Sequence, residues 1–186
     1  MAAASIDREA DRLNRLVSNI LDLSRIEAGG LVARLSAFPL DDLVDSVVER
    51  LSVDLAGHPI TIAIPADLLP VDIDEVFIDQ VLTNLLENAA RYAGPGAPIR
   101  ITGRALDEQR VGLTIEDGGQ GVPPEALPRL FEKFYRVPRA GEGARRGTGL
   151  GLAVVRGLVE TMGGEINARP SELGGLAMDL VLRAAA

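Results

Sequence analysis

The stretch from Asp74 to Tyr92, DEVFIDQVLTNLLENAARY, restricts the possible folds more than any other part of the chain. At about 100° per residue, a helix puts Ile78, Leu82, Leu85, Leu86 and Ala89 in one apolar stripe and Asn84, Asn88 and Arg91 on roughly the opposite side. Such a stripe must lie on a second layer. The polar face is unusual, because Asn lowers helix stability by a few tenths of a kcal/mol, and a solvated face favours Glu, Lys or Gln. Two Asn at i and i+4 are either part of a solvated face or a sign that amide oxygens are wanted there.

The layer under this helix is legible in the alternating segments. Ile60, Ile62 and Ile64 alternate with Thr61 and Ala63, and Val111, Leu113 and Ile115 alternate within Arg110–Glu116. Further strands are expected near Leu31–Phe38, Ile99–Leu106, Glu165–Arg169 and Leu176–Leu182, with a turn at Asp107-Glu108 and a loop from Pro65 to Pro70. Helices are expected over Ser5–Ala28, Leu40–Leu55, Pro124–Phe134 and Gly149–Met162. The fold class is therefore α+β, a two-layer sandwich. It has a mixed, mostly antiparallel sheet with helices on one face, preceded by one N-terminal helix. That first helix carries Ile6, Leu13, Leu16, Ile20 and Leu23 on a near-heptad stripe, and either packs on the domain that follows or pairs with a helix of another chain; the partner helix is the favoured reading.

Composition excludes several classes. A net charge of −8 argues against a nucleic-acid partner or an anionic membrane surface, so any phosphate site must be built locally. The absence of Cys removes disulfides and thiolate metal sites and allows a reducing cytoplasm. No apolar run approaches a membrane span, so this segment makes no membrane contact, and any anchor of the parent protein in an inner membrane lies elsewhere.

Two glycine segments and a basic cluster carry the chemistry. Asp117 closes an alternating strand, and Gly118, Gly119 and Gly121 let a ligand approach the backbone, where the carboxylate can accept from an exocyclic amine such as that of adenine. Gly147-Thr148-Gly149-Leu150-Gly151-Leu152 opens a helix whose free N–H groups suit phosphate. It is not a dinucleotide fingerprint, since the sixth position from Gly149 is Val154. Nor is it a Walker-type loop, since the only lysine is Lys133. Lys133, Arg136, Arg139, Arg145 and Arg146 lie between the two segments, where a loop can close over a triphosphate.

In order, NLLENAARY, DGGQG, the aromatic pair Phe131 and Phe134 of LFEKFYR, and GTGLGL resemble the N, F and glycine-rich boxes of sensor histidine kinases, within the Bergerat-fold ATPase superfamily. LDLSRIEAGG, at Leu21–Gly30, resembles the end of a second dimerisation helix. LLENAARYAG looks most like the potassium-responsive Kdp-type kinases. The resemblance implies that residues 1–30 are the C-terminal part of a dimerisation and phosphotransfer region and residues 31–186 a catalytic ATP-binding domain. It implies Mg²⁺ ligation by Asn88 with help from Asn84, a phosphate contact from Arg91, and Tyr92 against adenine. Asp117 accepts from the adenine amine beside Gly119, Gly121 and Val122, while Gly147, Thr148, Gly149, Leu150 and Gly151 hold the triphosphate and Arg136 matches a basic lid position.

The ATP-hydrolysing branches place a Glu four residues before the metal-binding Asn, where this chain has Asn84. The resemblance therefore implies phosphoryl transfer over hydrolysis. Gly118 stands where Asn is common and is expected to loosen the site. The family's acceptor histidine is missing: His58, the one histidine, lies between Gly57 and Pro59 and reads as an ordinary loop residue. The chain thus reads as a catalytic half, excised from a longer chain or acting on a partner, with Mg-ATP as donor. The implied partners are a histidine-bearing dimerisation domain, within a homodimeric parent, and a response-regulator receiver domain. The alternatives are a non-catalytic nucleotide-sensing module of the same fold and a slow ATPase dependent on Glu87.

Overall fold

Asp74 shows why the central helix begins where it does. Its buried carboxylate accepts from the N–H groups of Val76 at 3.0 Å and Phe77 at 3.2 Å, and from that of Arg34 at 2.8 Å. An aspartate N-cap of this kind contributes about 1 kcal/mol. The computed structural model describes residues 2–137 and 147–185. In it the capped helix, α3, runs Glu75–Ala93 and stops at Gly94, whose φ of 86° suits glycine. The preceding helices are α1 (Ala2–Glu27) and α2 (Leu40–Arg50), and the last is α4 (Gly151–Thr161).

The strands are β1 (Ser36–Phe38), β2 (Ile60–Ala63), β3 (Val71–Ile73), β4 (Ile99–Ala105), β5 (Arg110–Asp117), β6 (Glu165–Pro170) and β7 (Leu176–Arg183). Five of them form one sheet in the order β2-β4-β5-β7-β6, with only β2 and β4 parallel. A separate antiparallel pair joins β1 to β3. One face of the main sheet buries Ile99, Ile101, Val111, Leu113, Ile115, Leu180 and Leu182 in a core shared with Ile78, Leu82, Leu85 and Leu86 of α3 and Val154 and Leu158 of α4. The expected α+β sandwich, with helices on one face, is what forms.

Several expected boundaries move, each for a local reason. The strand expected over Leu31–Phe38 shrinks to β1, because the Arg34 N–H goes to the Asp74 cap instead of a ladder. The helix expected to Leu55 ends at Arg50 and continues as turns that still bury Leu51 and Leu55. The segment expected as a helix over Pro124–Phe134 is a 3-10 helix, Pro124–Arg129, in which Pro128 removes an N–H donor. At Gly149 a φ of 73° delays α4 to Gly151. β3 was not expected, since three residues between Pro70 and Asp74 are too short a pattern to read. The Asp107 turn forms as expected, with the Arg110 guanidinium holding the Asp107 carboxyl below its usual range.

Among the described side chains, those near the C-terminal end of α1 pack on this domain. Leu23 is buried, Ile26 lies against Gly157 of α4, Asp22 accepts from Gln80 Nε2 at 2.8 Å, and Glu27 pairs with Lys133. Leu13, Val17, Ile20 and Leu21 stay exposed. Among the described residues no helix is long and apolar enough to cross a membrane.

Candidate functional site

Period-two alternation along β5 sends Leu113, Ile115 and Asp117 to the helix-covered face and Thr114 and Glu116 to the open one. Asp117 is therefore delivered, buried, at the end of the core row and beside the C-terminus of α3. Its Oδ1 accepts from the Gly119 N–H at 2.9 Å. A Cβ on Gly119 would sit 2.6 Å from the Ala93 Cα, so only glycine lets the chain pass so close to α3. Gly121, with φ 65°, lies against the carbonyls of Gly174 and Gly175, and Val122 packs on the edge of the core.

The second glycine segment runs along the C-terminal half of α3. Asn84 donates Nδ2 to the Gln80 carbonyl at 2.9 Å, and its Oδ1 lies 3.1 Å from where a Cβ of Gly151 would be, at the entry to α4. Eight residues on, the Tyr92 hydroxyl stands 3.0 Å from the corresponding point on Gly147. Asn88 lies one turn from each of these side chains and on the same face of α3. Gly147 and Gly149 both have positive φ, and Thr148 Oγ1 accepts from the Leu150 N–H at 3.3 Å, which shapes the loop ahead of the helix. Leu150 itself is buried in the core. From Asn84 to Ala93 the helix measures about 14 Å, on the scale of a nucleoside triphosphate.

Arg91 pairs with Glu87 at 3.8 Å, so the one carboxylate next to Asn88 is engaged along its own helix. Phe131 is buried under the Arg156 guanidinium, 4.0 Å from its ring centroid. Phe134 adopts a left-handed φ of 62°, rare for an aromatic residue, and its N–H donates to the Gly149 carbonyl at 2.9 Å. The structure thus brings Asn84, Asn88, Tyr92, Asp117, Gly119, Gly121 and the 147–151 loop together along α3. Arg136 is exposed at the edge of the described chain, and Arg139, Arg145 and Arg146 lie outside the described residues. His58 is tied into its loop by a hydrogen bond between Nδ1 and the Ala97 carbonyl at 2.9 Å.

Gly118 does not loosen the site. Its N–H donates to the Pro98 carbonyl at 2.9 Å, and a Cβ there would fall 2.7 Å from Pro98 Cδ. Pro98 fills the space that an asparagine side chain would need. Gly118→Ala is therefore expected to cost about 1–3 kcal/mol. Thermal melting reads this cost, and the second change Pro98→Ala is expected to recover most of it.

Sequence reasoning missed the turn at residues 171–175, which passes under Asp117. The doublet Gly174-Gly175 marked a loop but gave no sign of what it touches. Gly175 donates its N–H to the Asp117 carbonyl at 3.1 Å and accepts from the Ser171 N–H at 3.0 Å. Behind Asp117, on the open face, Arg100 donates to Glu116 Oε2 from Nε at 2.9 Å and from Nη2 at 2.7 Å. Glu116 thereby holds the Arg100 guanidinium more firmly protonated than usual, and Asp179 does the same for Arg169.

Residues 73–186 match the family described as histidine kinase-, DNA gyrase B- and HSP90-like ATPase. Sensor protein KdpD of Escherichia coli is 35% identical over 97% of this chain and 20% of its own length, so the chain spans about a fifth of that relative. Full-length ShkA, solved in complex with AMPPNP, superposes with a TM-score of 0.82 at 29% identity, over 98% of this chain and 38% of that one. The histidine kinase AdeS of Acinetobacter baumannii gives 0.76 at 27% identity, over 97% of this chain and 82% of that one. With the ordered motifs assembled along α3, the chain belongs to the histidine kinase-, DNA gyrase B- and HSP90-like ATPase family, as the ATP-binding catalytic domain of a sensor histidine kinase.

Proposed function

We propose that the chain binds Mg-ATP along α3 and passes its γ-phosphoryl to a histidine carried outside residues 31–186. The observation that carries this reading is the stretch of α3 from Asn84, beside Gly151 at the entry of α4, to Ala93, beside Gly119 and Asp117. Asp117 accepts from the adenine amine, Tyr92 lies against the base, and Gly119 and Gly121 admit the ligand. The amides of Gly147, Thr148, Gly149, Leu150 and Gly151 take the phosphates at the entry of α4, where the helix dipole favours negative charge. Arg91 and Arg136 supply further positive charge to the triphosphate.

The donors fit magnesium, which takes one or two protein oxygens and completes its shell with phosphate and water. Asn88 and Asn84 would hold it, the Nδ2 bond of Asn84 to Gln80 leaving its amide oxygen on the side of Gly151. Bound there, the ion supplies charge neutralisation to the transferring phosphoryl. Asn84 cannot act as a general base, and Glu87, the carboxylate beside Asn88, pairs with Arg91 along the helix. Transfer to a side-chain nucleophile is favoured over hydrolysis.

Residues 1–30 are proposed as the end of a dimerisation region, on the support of the exposed Leu13, Val17, Ile20 and Leu21, with a homodimeric parent. A response-regulator receiver domain then takes the phosphoryl from the histidine, in a cytoplasmic setting. Calorimetric titration tests the nucleotide site: Asp117→Asn is expected to weaken ATP binding about tenfold or more. Asn88→Ala is expected to remove the difference in affinity between magnesium and a chelator. Unchanged affinity in both variants overturns the reading. A separate histidine-bearing dimerisation fragment with labelled ATP tests transfer, and absence of labelled histidine despite tight binding favours a nucleotide-sensing module.

A further inference from the structure

On the open face of the sheet a charged row lies directly behind Asp117. In register across four strands stand Arg100 of β4, Glu116 of β5, Ala177 of β7 and Arg169 of β6. Ala177 is fully buried and small, which lets Arg169 reach across it, so that its Nη1 lies 3.5 Å from Glu116 Oε1. On the other side Arg100 grips Oε2 with two donors. Oε1 also receives the Ser171 hydroxyl and the Glu172 N–H, each at 3.4 Å. Glu116 is 3% exposed. A carboxylate this deeply buried persists only when its oxygens are hydrogen-bonded and its charge is matched, and here both conditions hold.

The turn at 171–175 is consequently held at both ends by consecutive residues of β5. Glu116 binds its start through Ser171 and Glu172, while Asp117 binds its end through the Gly175 N–H. The turn passes so close to Asp117 that a Cβ on Gly175 would fall on Asp117 Oδ1 and the Asp117 carbonyl oxygen, so there is room for glycine only. With Oδ1 also committed to the Gly119 N–H, the direction of the Asp117 carboxylate is set by the placement of this turn.

We propose that Glu116, with Arg100 and Arg169, is a positioning residue for nucleobase selection: it seats the 171–175 turn against Asp117 and so aims that carboxylate at the adenine amine. This rests on the reading of Asp117 given above. Guanine presents a carbonyl oxygen where adenine presents the amine, so a well-aimed carboxylate attracts one base and repels the other. A carboxylate with a loosened direction loses that contrast.

The test is titration of the whole chain with Mg-ATP and with Mg-GTP, well below the melting temperature, in wild type, Glu116→Gln, Glu116→Ala and Asp117→Asn. The ratio of ATP to GTP affinity is expected to fall at least about threefold in Glu116→Gln and about tenfold in Glu116→Ala. On an Asp117→Asn background, Glu116→Gln is expected to change the ratio no further, since it acts through Asp117. A purely structural role would lower the melting temperature and weaken both nucleotides in proportion, leaving the ratio where it was. Glu116→Gln keeps the side-chain shape and gives the reading if Glu116→Ala does not fold. A ratio unchanged in Glu116→Gln, while Asp117→Asn lowers it, overturns this inference alone. A ratio unchanged in Asp117→Asn overturns the adenine reading and this inference with it.

Discussion

Gly175→Ala is expected to weaken ATP binding about a hundredfold, a loss of about 3 kcal/mol. The added Cβ would fall on the Oδ1 and carbonyl oxygen of Asp117 and 2.6 Å from the Gly119 nitrogen. Two of these three atoms are backbone, so no rotamer change relieves the contact, and the segment that reads the base must move as a whole. The same overpacking is expected to cost about 3 kcal/mol of folding stability, a fall in melting temperature of about 6–12 °C at about 2–4 °C per kcal/mol for a chain of this size. Gly174→Ala separates steric contact from backbone strain. Gly174 has φ 103°, yet a Cβ there would meet nothing closer than the Gly119 carbonyl at 3.8 Å. It should destabilise the chain with a smaller effect on the affinity of folded protein. Calorimetric titration beside a melting curve reads both quantities, and wild-type affinity in Gly175→Ala would refute the steric account.

Leu82→Ala is expected to destabilise the domain by about 3 kcal/mol, within the range for a buried leucine truncated in a packed core. Leu82 is 1% exposed, and its stripe on α3 meets the same core as β5 and α4. Its direction from the helix axis is well away from Asn84 and Asn88. The loss should therefore appear as a drop of about 6–12 °C in melting temperature, while the ATP affinity of the folded protein stays near wild type. Scanning calorimetry with a parallel titration checks this, and a melting temperature within 2 °C of wild type, on the scale of about 2–4 °C per kcal/mol, would show that the cavity collapses.

The contrast between these two positions explains what could be read from the chain alone. Ile78, Leu82, Leu85 and Leu86 repeat at helical spacing, and Val111, Leu113 and Ile115 at strand spacing, because each pattern reports a face buried along its own element. The ordered motifs placed Asn88, Asp117 and the 147–151 loop in the same way, since each is a local pattern. What stayed hidden depends on partners distant in sequence. The role of Gly175 comes from Asp117, that of Gly118 from Pro98, and that of Glu116 from Arg100 and Arg169 across the sheet. β3 is only three residues long and its ladder lies with β1, some 35 residues upstream, so it leaves no local pattern.

The strand order β2-β4-β5-β7-β6 bears on how the domain is made during synthesis. β5, which delivers Asp117, sits at the centre of the sheet, and one of its two neighbours is β7, paired from Arg110↔Arg183 to Glu116↔Ala177. Until residues 176–183 have left the ribosome, β5 is an open edge with half its ladder unpaired and Leu113 and Ile115 only partly covered. Folding of this unit therefore waits for β7, and a nascent chain stalled before it offers a sticky strand to its neighbours instead of a place for ATP.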